Sequence, residues 1–165
     1  MKSSSSIGSL KGIGEKTENL FHRLGVYRIE DLIRYYPRGF EIYEDPVPIS
    51  EAEEGKINTI SGSVFGRIGV SGNRSLQVTT LNLKDLTGTI KVLWFRMPFL
   101  RNTLGKGGML VLRGRVVRRK SGLVMEHPEI YYPASKYEEK LHSMQPVYPL
   151  TSGLTNNAII KAVRQ

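Results

Sequence analysis

Two phenylalanines four positions apart, Phe95 and Phe99, stand in the stretch Trp94-Phe95-Arg96-Met97-Pro98-Phe99-Leu100, with Arg96 between them and Arg101 just beyond. Rings framed by guanidinium groups instead of aliphatic neighbours have the composition of a platform on which nucleic-acid bases stack. The same pair could instead plug the end of a barrel, and composition leaves both uses open. Arg113, Arg115, Arg118, Arg119 and Lys120 form a second basic set, in which Arg113, Arg115 and Arg119 share a face at period two. Such groups can contact phosphates, which fixes register and makes affinity fall with salt. Plain solubility is the competing use. Gly12 and Gly14, in a turn ahead of a helix, are a possible phosphate-binding turn through backbone N–H groups, or serve packing alone.

No catalytic centre accompanies these candidates. His22, His127 and His142 lie far apart in a chain without cysteine, and none has metal-ligand spacing. Gly105-Lys106-Gly107-Gly108 lacks the spacing of a nucleotide-phosphate loop, and neither G-x-S-x-G nor H-E-x-x-H occurs. The expectation for this chain by itself is a binding module that hydrolyses nothing, with no metal and no cofactor.

Charge supports a polyanionic partner. The net charge is +9, unevenly placed: residues 1–55 hold seven basic and ten acidic groups, residues 56–135 thirteen and three, and residues 136–165 four and two. An excess of this size on the middle of the chain exceeds what solubility requires. Nucleic acid ranks ahead of an anionic membrane, because no basic amphipathic helix is visible. At 165 residues, 39% hydrophobic and 24% charged, the chain suits one ordinary globular domain with a small helical appendage. The lack of cysteine excludes disulfides, and no apolar run approaches the ~20 residues of a membrane span. Residues 1–9, opening on Met1-Lys2-Ser3-Ser4, read as a flexible lead-in or cloning scar.

The scaffold for these groups can be read from periodicity. Leu20, Phe21 and Leu24 have helical spacing closed by Gly25, and a second helix runs from about Ile29 to Tyr36, where Pro37 stops it. With the helix-hairpin-helix-like turn Leu10-Lys11-Gly12-Ile13-Gly14, this makes residues 10–55 a helical element followed by an irregular linker from Phe40 to Gly55. Residues 56–135 carry the β pattern. A first strand from Ile57 is marked by Ile60, Val64 and Ile68, and Gly69 to Asn73 turn. In a second strand, Arg74 to about Leu86, apolar parity changes from Leu76 and Val78 to Leu81 and Leu83, which predicts a β-bulge near Thr79-Thr80. A third strand buries Ile90, Val92 and Trp94, and Pro98 ends it near Phe95 in a short helical turn. A fourth, from Met109 to about Arg119, points Leu110, Leu112, Gly114 and Val116 inward. A basic hairpin tip then leads to a fifth strand, Leu123 to Tyr132, where Pro128 suggests an edge position. Five antiparallel strands with a short helix between the third and fourth is the order of an OB-fold. The expected fold class is therefore mainly β: a five-stranded OB-fold barrel with a small helical amino-terminal element and, at residues 136–165, a carboxy-terminal connector.

Several segments together resemble a known family. They are Leu10-Lys11-Gly12-Ile13-Gly14, Leu24-Gly25, Asp31-Leu32, Tyr36-Pro37-Arg38, Trp94-Phe95-x-x-Pro98-Phe99, His127-Pro128-Glu129 and Pro146-Val147-Tyr148-Pro149-Leu150-Thr151-x-Gly153-Leu154. Over residues 10–165 this order resembles the amino-terminal wedge region of the RecG family of bacterial ATP-dependent DNA helicases. The resemblance implies an OB-fold wedge that splits strands at branched DNA. Motor domains of the same chain would use ATP and Mg, and residues 136–165 would lead toward them. It implies reversal of stalled replication forks and Holliday-junction branch migration in DNA repair and recombination, by a monomer in the bacterial cytoplasm at the nucleoid. In the family an aromatic pair stacks on bases at the branch point, and Phe95 and Phe99 match those positions. The second is commonly tyrosine, so Phe99 would lack any contact made through a phenol hydroxyl. The ending Ala162-Val163-Arg164-Gln165, in mid-helix pattern, reads as an excised wedge piece or as a protein that has lost its motor. Two rivals stay open: a generic single-stranded DNA- or RNA-binding OB module, and a partner-docking domain whose acidic helical part carries the function.

Overall fold

A computed structural model describes residues 4–165, which form two compact units: the chain up to Ile42 together with Met144–Gln165, and Tyr43–Ser143. Among the described residues no helix is long and apolar enough to cross a membrane.

In the first unit, α1 (Glu15–Arg23) buries Phe21 and carries acidic residues in its first turn and basic ones in its last, which suits the helix dipole. Gly25 follows at φ 78, the left-handed position a reversing chain needs. The second helix, α2 (Ile29–Ile33), is shorter than expected, with Arg34 already its C-cap three residues before Pro37. Asp31 accepts the backbone N–H of Arg28 (2.9 Å) and of Tyr27 (3.0 Å), and these bonds hold its carboxyl below the ordinary aspartate value. Strand β1 (Gly39–Ile42) pairs antiparallel with β7 (Met144–Val147), and α4 (Asn156–Val163) is capped by Thr155. Ile7, Phe21, Val26, Tyr148, Leu154 and Ile159 form the core.

Three expectations are corrected here. The supposed lead-in is structured from Ser6, which caps a short 3-10 turn, Ile7–Ser9, whose Ile7 is fully buried; residues 1–3 lie outside the described ones. The linker from Phe40 begins as strand β1 and later contains a 3-10 turn at Ile49–Glu51. The carboxy-terminal segment from Met144 completes the first unit's core, since Tyr148, Leu154 and Ile159 must bury their apolar surface against Phe21 and Val26.

The second unit is built on β2 (Ile57–Ser71), β3 (Val78–Lys84), β4 (Thr89–Phe95), β5 (Met109–Arg119) and β6 (Gly122–Tyr131), with α3 (Leu100–Leu104) between β4 and β5. The strands close in the order β2-β3-β4-β6-β5, and that order with the helix after the third barrel strand is an OB-fold. Alternation fills its interior: Ile60, Leu83, Val92, Trp94, Leu110, Leu112, Val116 and Met125 are essentially inaccessible. Burying an apolar side chain of this kind contributes about 1.5–3 kcal/mol. Trp94 also satisfies its indole N–H, which donates to the Pro128 carbonyl at 3.1 Å.

Some details differ from expectation. The closing pair, β4 with β6, is parallel, so the sheet is not wholly antiparallel. Pro128 is not on an edge strand, because β6 lies between β5 and β4. It sits where the β5–β6 register slips between Arg113, opposite Glu129, and Arg115, opposite Glu126, a bulge where a missing N–H costs no ladder bond. The bulge expected at Thr79-Thr80 is absent, since β3 pairs with β4 without a break. It lies across the pair in β2, where four steps from Phe65 to Gly69 face two from Asn82 to Thr80 and Gly66 takes φ 76. β3 starts at Val78, not Arg74, and Leu76 is an exposed turn residue. Thr79 takes the inward position instead and donates its hydroxyl to the Met97 carbonyl at 2.9 Å.

Candidate nucleic-acid interface

Phe95 is the last residue of β4, and because Trp94 points inward its own ring faces out. Arg96 follows at φ 58, and its N–H donates to the Gln77 carbonyl at 2.8 Å. Left-handed backbone at a residue other than glycine costs about 1–2 kcal/mol and clusters at functional sites. His127, on the β6 bulge, shares that conformation at φ 48. Its ring stacks on Phe95 with centroids 6.2 Å apart and planes 25° apart. The chain then turns through Pro98 into α3, whose Leu100 and Leu104 are buried against the barrel core. That seating leaves Phe99, at the helix start, and Arg101, in its first turn, outward.

Phe95 is 40% exposed and Phe99 56% exposed. They are therefore not plugs; Leu100 and Leu104, with Met97 partly buried, pack there instead. Arg96 and Arg101 are both exposed beside them. Arg101 also lines a groove of about 330 Å³ with Arg67, Gly105 and Gly107, which brings in a guanidinium from the β2 bulge.

The basic strand and hairpin are a different matter. Arg113 has a side chain only 10% exposed, 3.6 Å from the Glu129 carboxylate and 4.5 Å over the Tyr43 ring. That correction has a clear cause: Tyr43 and Tyr137 cover this part of β5 with a small core of their own, so Arg113 does not share an open face with Arg115 and Arg119. Arg115 donates to the Gly55 carbonyl, Arg118 pairs with Glu54 at 2.9 Å, and Arg119 pairs with Glu126. Surface pairs of this type contribute about 0–1 kcal/mol, so a phosphate can exchange with either carboxylate. Lys120 is exposed at the tip. Lys91 pairs with Val124 and Leu93 with Glu126, which places the hairpin at the Thr89 end of β4 and Phe95 at the other. Six residues of strand, roughly 20 Å, separate them. The exposed predicted residues of the barrel thus form two groups, with Arg113 covered and apart from both.

Gly12 and Gly14 belong to the other unit. Gly12 has φ 83 and Gly14 caps α1, but Glu15 and Glu18 occupy the first turn, where their carboxylates repel a phosphate. Lys11, in the same turn, exchanges backbone hydrogen bonds with the Gln165 amide at 2.8 and 3.0 Å.

Sequence reasoning did not single out His127, Arg67 and Lys91, which are exposed on this barrel. Lys91 could have been found, since it stands four residues before Phe95 and so faces the same way. His127 and Arg67 could not, because each is aimed by a bulge.

The match to known proteins spans both units. Residues 6–165 match the family model of the RecG wedge domain. The chain is 29% identical over 160 residues to the ATP-dependent DNA helicase RecG of Synechocystis sp., covering 87% of this chain and 19% of that protein. Against the ATP-dependent DNA helicase RecG of Bacillus subtilis it is 26% identical over 167 residues, covering 97% and 23%. It thus spans about a fifth to a quarter of the length of these curated relatives. A solved structure of RecG bound to a three-way DNA junction matches with a TM-score of 0.84 at 21% identity, covering 100% of this chain and 23% of that one, and so shares its fold. The chain belongs to the RecG wedge domain family.

Proposed function

We propose that this chain is the branched-DNA-binding wedge of a RecG-like helicase, which splits strands at stalled replication forks and Holliday junctions during fork reversal and branch migration. One observation carries the reading: two exposed phenyl rings, Phe95 and Phe99, stand at a strand exit among guanidinium groups on a basic barrel. Motor domains of the same protein would pull duplex arms against the barrel, while the two rings cap the bases exposed at the branch. Opening a base pair costs a few kcal/mol, and stacking on an aromatic ring returns about 1–3 kcal/mol per base. Arg96 and Arg101 hold the flanking phosphates, and a protein that works this way recognises structure over sequence.

ATP and Mg belong to the motor domains. The glycine-rich stretch Gly105–Gly108 follows α3 and precedes β5, the reverse of the strand-loop-helix order that cradles nucleotide phosphates, so the residues here do not fit that ligand. The wedge acts as a monomer on DNA and takes no catalytic step itself.

Fluorescence anisotropy across a salt series, with a three-way fork, its duplex arm and its single strand as separate ligands, tests this reading. The fork is expected to bind most tightly. Equal binding to fork and single strand would instead identify a generic single-strand binder, and loss of all binding at low salt would favour a partner-docking domain.

A further inference from the structure

Among the described residues, three other than glycine take left-handed backbone: Arg96, His127 and His142. Two of the three flank Phe95, Arg96 as the next residue and His127 through its ring. His127 stands on the β6 bulge opposite Gly114, and the bulge is held from both sides. The Trp94 indole N–H donates to the Pro128 carbonyl at 3.1 Å. From β5, Gly114 comes so close that a Cβ there would lie 2.8 Å from the Cα of Pro128, inside any normal contact. A bulge alone would be served by glycine or asparagine, which take this backbone at less cost. The imidazole is the part that the bulge does not call for, and Phe95 is what it meets. The two rings are offset-stacked, a favoured arrangement of aromatic pairs. His127 Nε2 lies 3.3 Å from the Phe95 carbonyl oxygen; a carbonyl only accepts, so this nitrogen carries a proton and donates it. Backbone pairing of β4 with β6 ends at Leu93 and Glu126, so the side-chain bond ties the two strands where the ladder has stopped.

We infer that His127 is a positioning residue for the branch-point platform: its ring backs Phe95 and its Nε2–H holds the Phe95 carbonyl, so the phenyl ring is already set in the orientation that receives a base. The inference rests on the junction-binding reading and adds to it a ring that acts on DNA through Phe95. A half-exposed phenyl ring at a strand end has rotamers to lose, and fixing it before DNA arrives removes an ordering cost from binding. Strained backbone persists only where its surroundings over-determine it, and here they do so to aim one imidazole.

The test is a double-mutant cycle by anisotropy on a three-way fork, with His127→Asn, Phe95→Ala and the two combined. Asparagine suits the left-handed backbone and lacks the ring, so the bulge is kept. His127→Asn should weaken fork binding about three- to tenfold with the melting temperature close to that of the wild type. In the Phe95→Ala background the same substitution should change nothing further, because a positioning residue acts only through the group it positions. His127→Phe, which keeps a ring, should bind the fork more tightly than His127→Asn. A purely structural residue would lower the melting temperature and weaken both backgrounds alike, and a residue that touches DNA itself would weaken both alike at an unchanged melting temperature. Either result overturns the inference, as does wild-type fork binding by His127→Asn when Phe95→Ala binds weakly. Failure of the underlying reading looks different: Phe95→Ala with Phe99→Ala would then bind the fork as the wild type does, and the inference would fall with it.

Discussion

Phe95 and Phe99 face outward because their neighbours are fixed: Trp94 is locked inward by its hydrogen bond to Pro128, and Leu100 and Leu104 seat α3. Replacing both phenylalanines by alanine removes stacking surface and little core. Fork affinity should then fall about 10- to 100-fold while the melting temperature stays close to that of the wild type, as anisotropy and thermal denaturation would record. The arginines divide on the same logic. Arg113→Ala breaks a largely buried contact with Glu129 and Tyr43, and should cost about 2–4 kcal/mol of stability in chemical denaturation with little change in fork affinity. Arg101→Ala should do the reverse. This difference was only half legible in the sequence. Two phenylalanines among arginines suggest either a platform or a barrel plug, and only their exposure decides against the plug. The burial of Arg113 depends on Tyr43 and Tyr137, distant in the chain, and period-two counting cannot see a covering residue.

At the scale of elements, the turn between β3 and β4 does more than reverse the chain. The Asp85 Oδ1 atom accepts from the Thr87 and Gly88 backbone at 2.7 and 2.9 Å, and Oδ2 accepts from the Ile49 N–H at 2.7 Å, tying the 3-10 turn to the barrel. Partial burial pushes the carboxyl up, but these donors outweigh it and hold the group below the ordinary value of 3.8. A depressed folded pKa stabilises the protein above the unfolded value, and that stability is lost as pH falls through the folded pKa. Asp85→Ala should therefore cost about 1–3 kcal/mol at neutral pH and weaken the acid-induced loss of stability below pH 3.8, read from melting temperatures across a pH series. The strands themselves were readable because Ile90, Val92 and Trp94, or Leu110, Leu112 and Val116, alternate cleanly. The bulge was misplaced because a change of apolar parity has two causes, an inserted residue or a later strand start. Leu76 belongs to a turn, so the second cause applies, and nothing local to Phe65–Gly69 except Gly66 marks the true site.

For the whole molecule, charge decides what the barrel attracts. The excess of thirteen basic over three acidic groups in residues 56–135 should make fork binding strongly salt-dependent. Each neutralised phosphate adds roughly 0.7–0.9 to the slope of log affinity against log salt. The triple variant Arg118→Gln, Arg119→Gln, Lys120→Gln should lower that slope by roughly 2 while keeping the preference for a fork over a duplex arm, because the platform is untouched. The central claim, that the rings take up bases at the branch, is tested most directly by a fork carrying the fluorescent base 2-aminopurine either at the branch point or a few pairs inside an arm. At saturating wild-type protein the signal should change at the branch point alone, and saturating Phe95→Ala/Phe99→Ala protein should leave it unchanged. An equal change at both positions, or the same change with the double variant, would contradict the account.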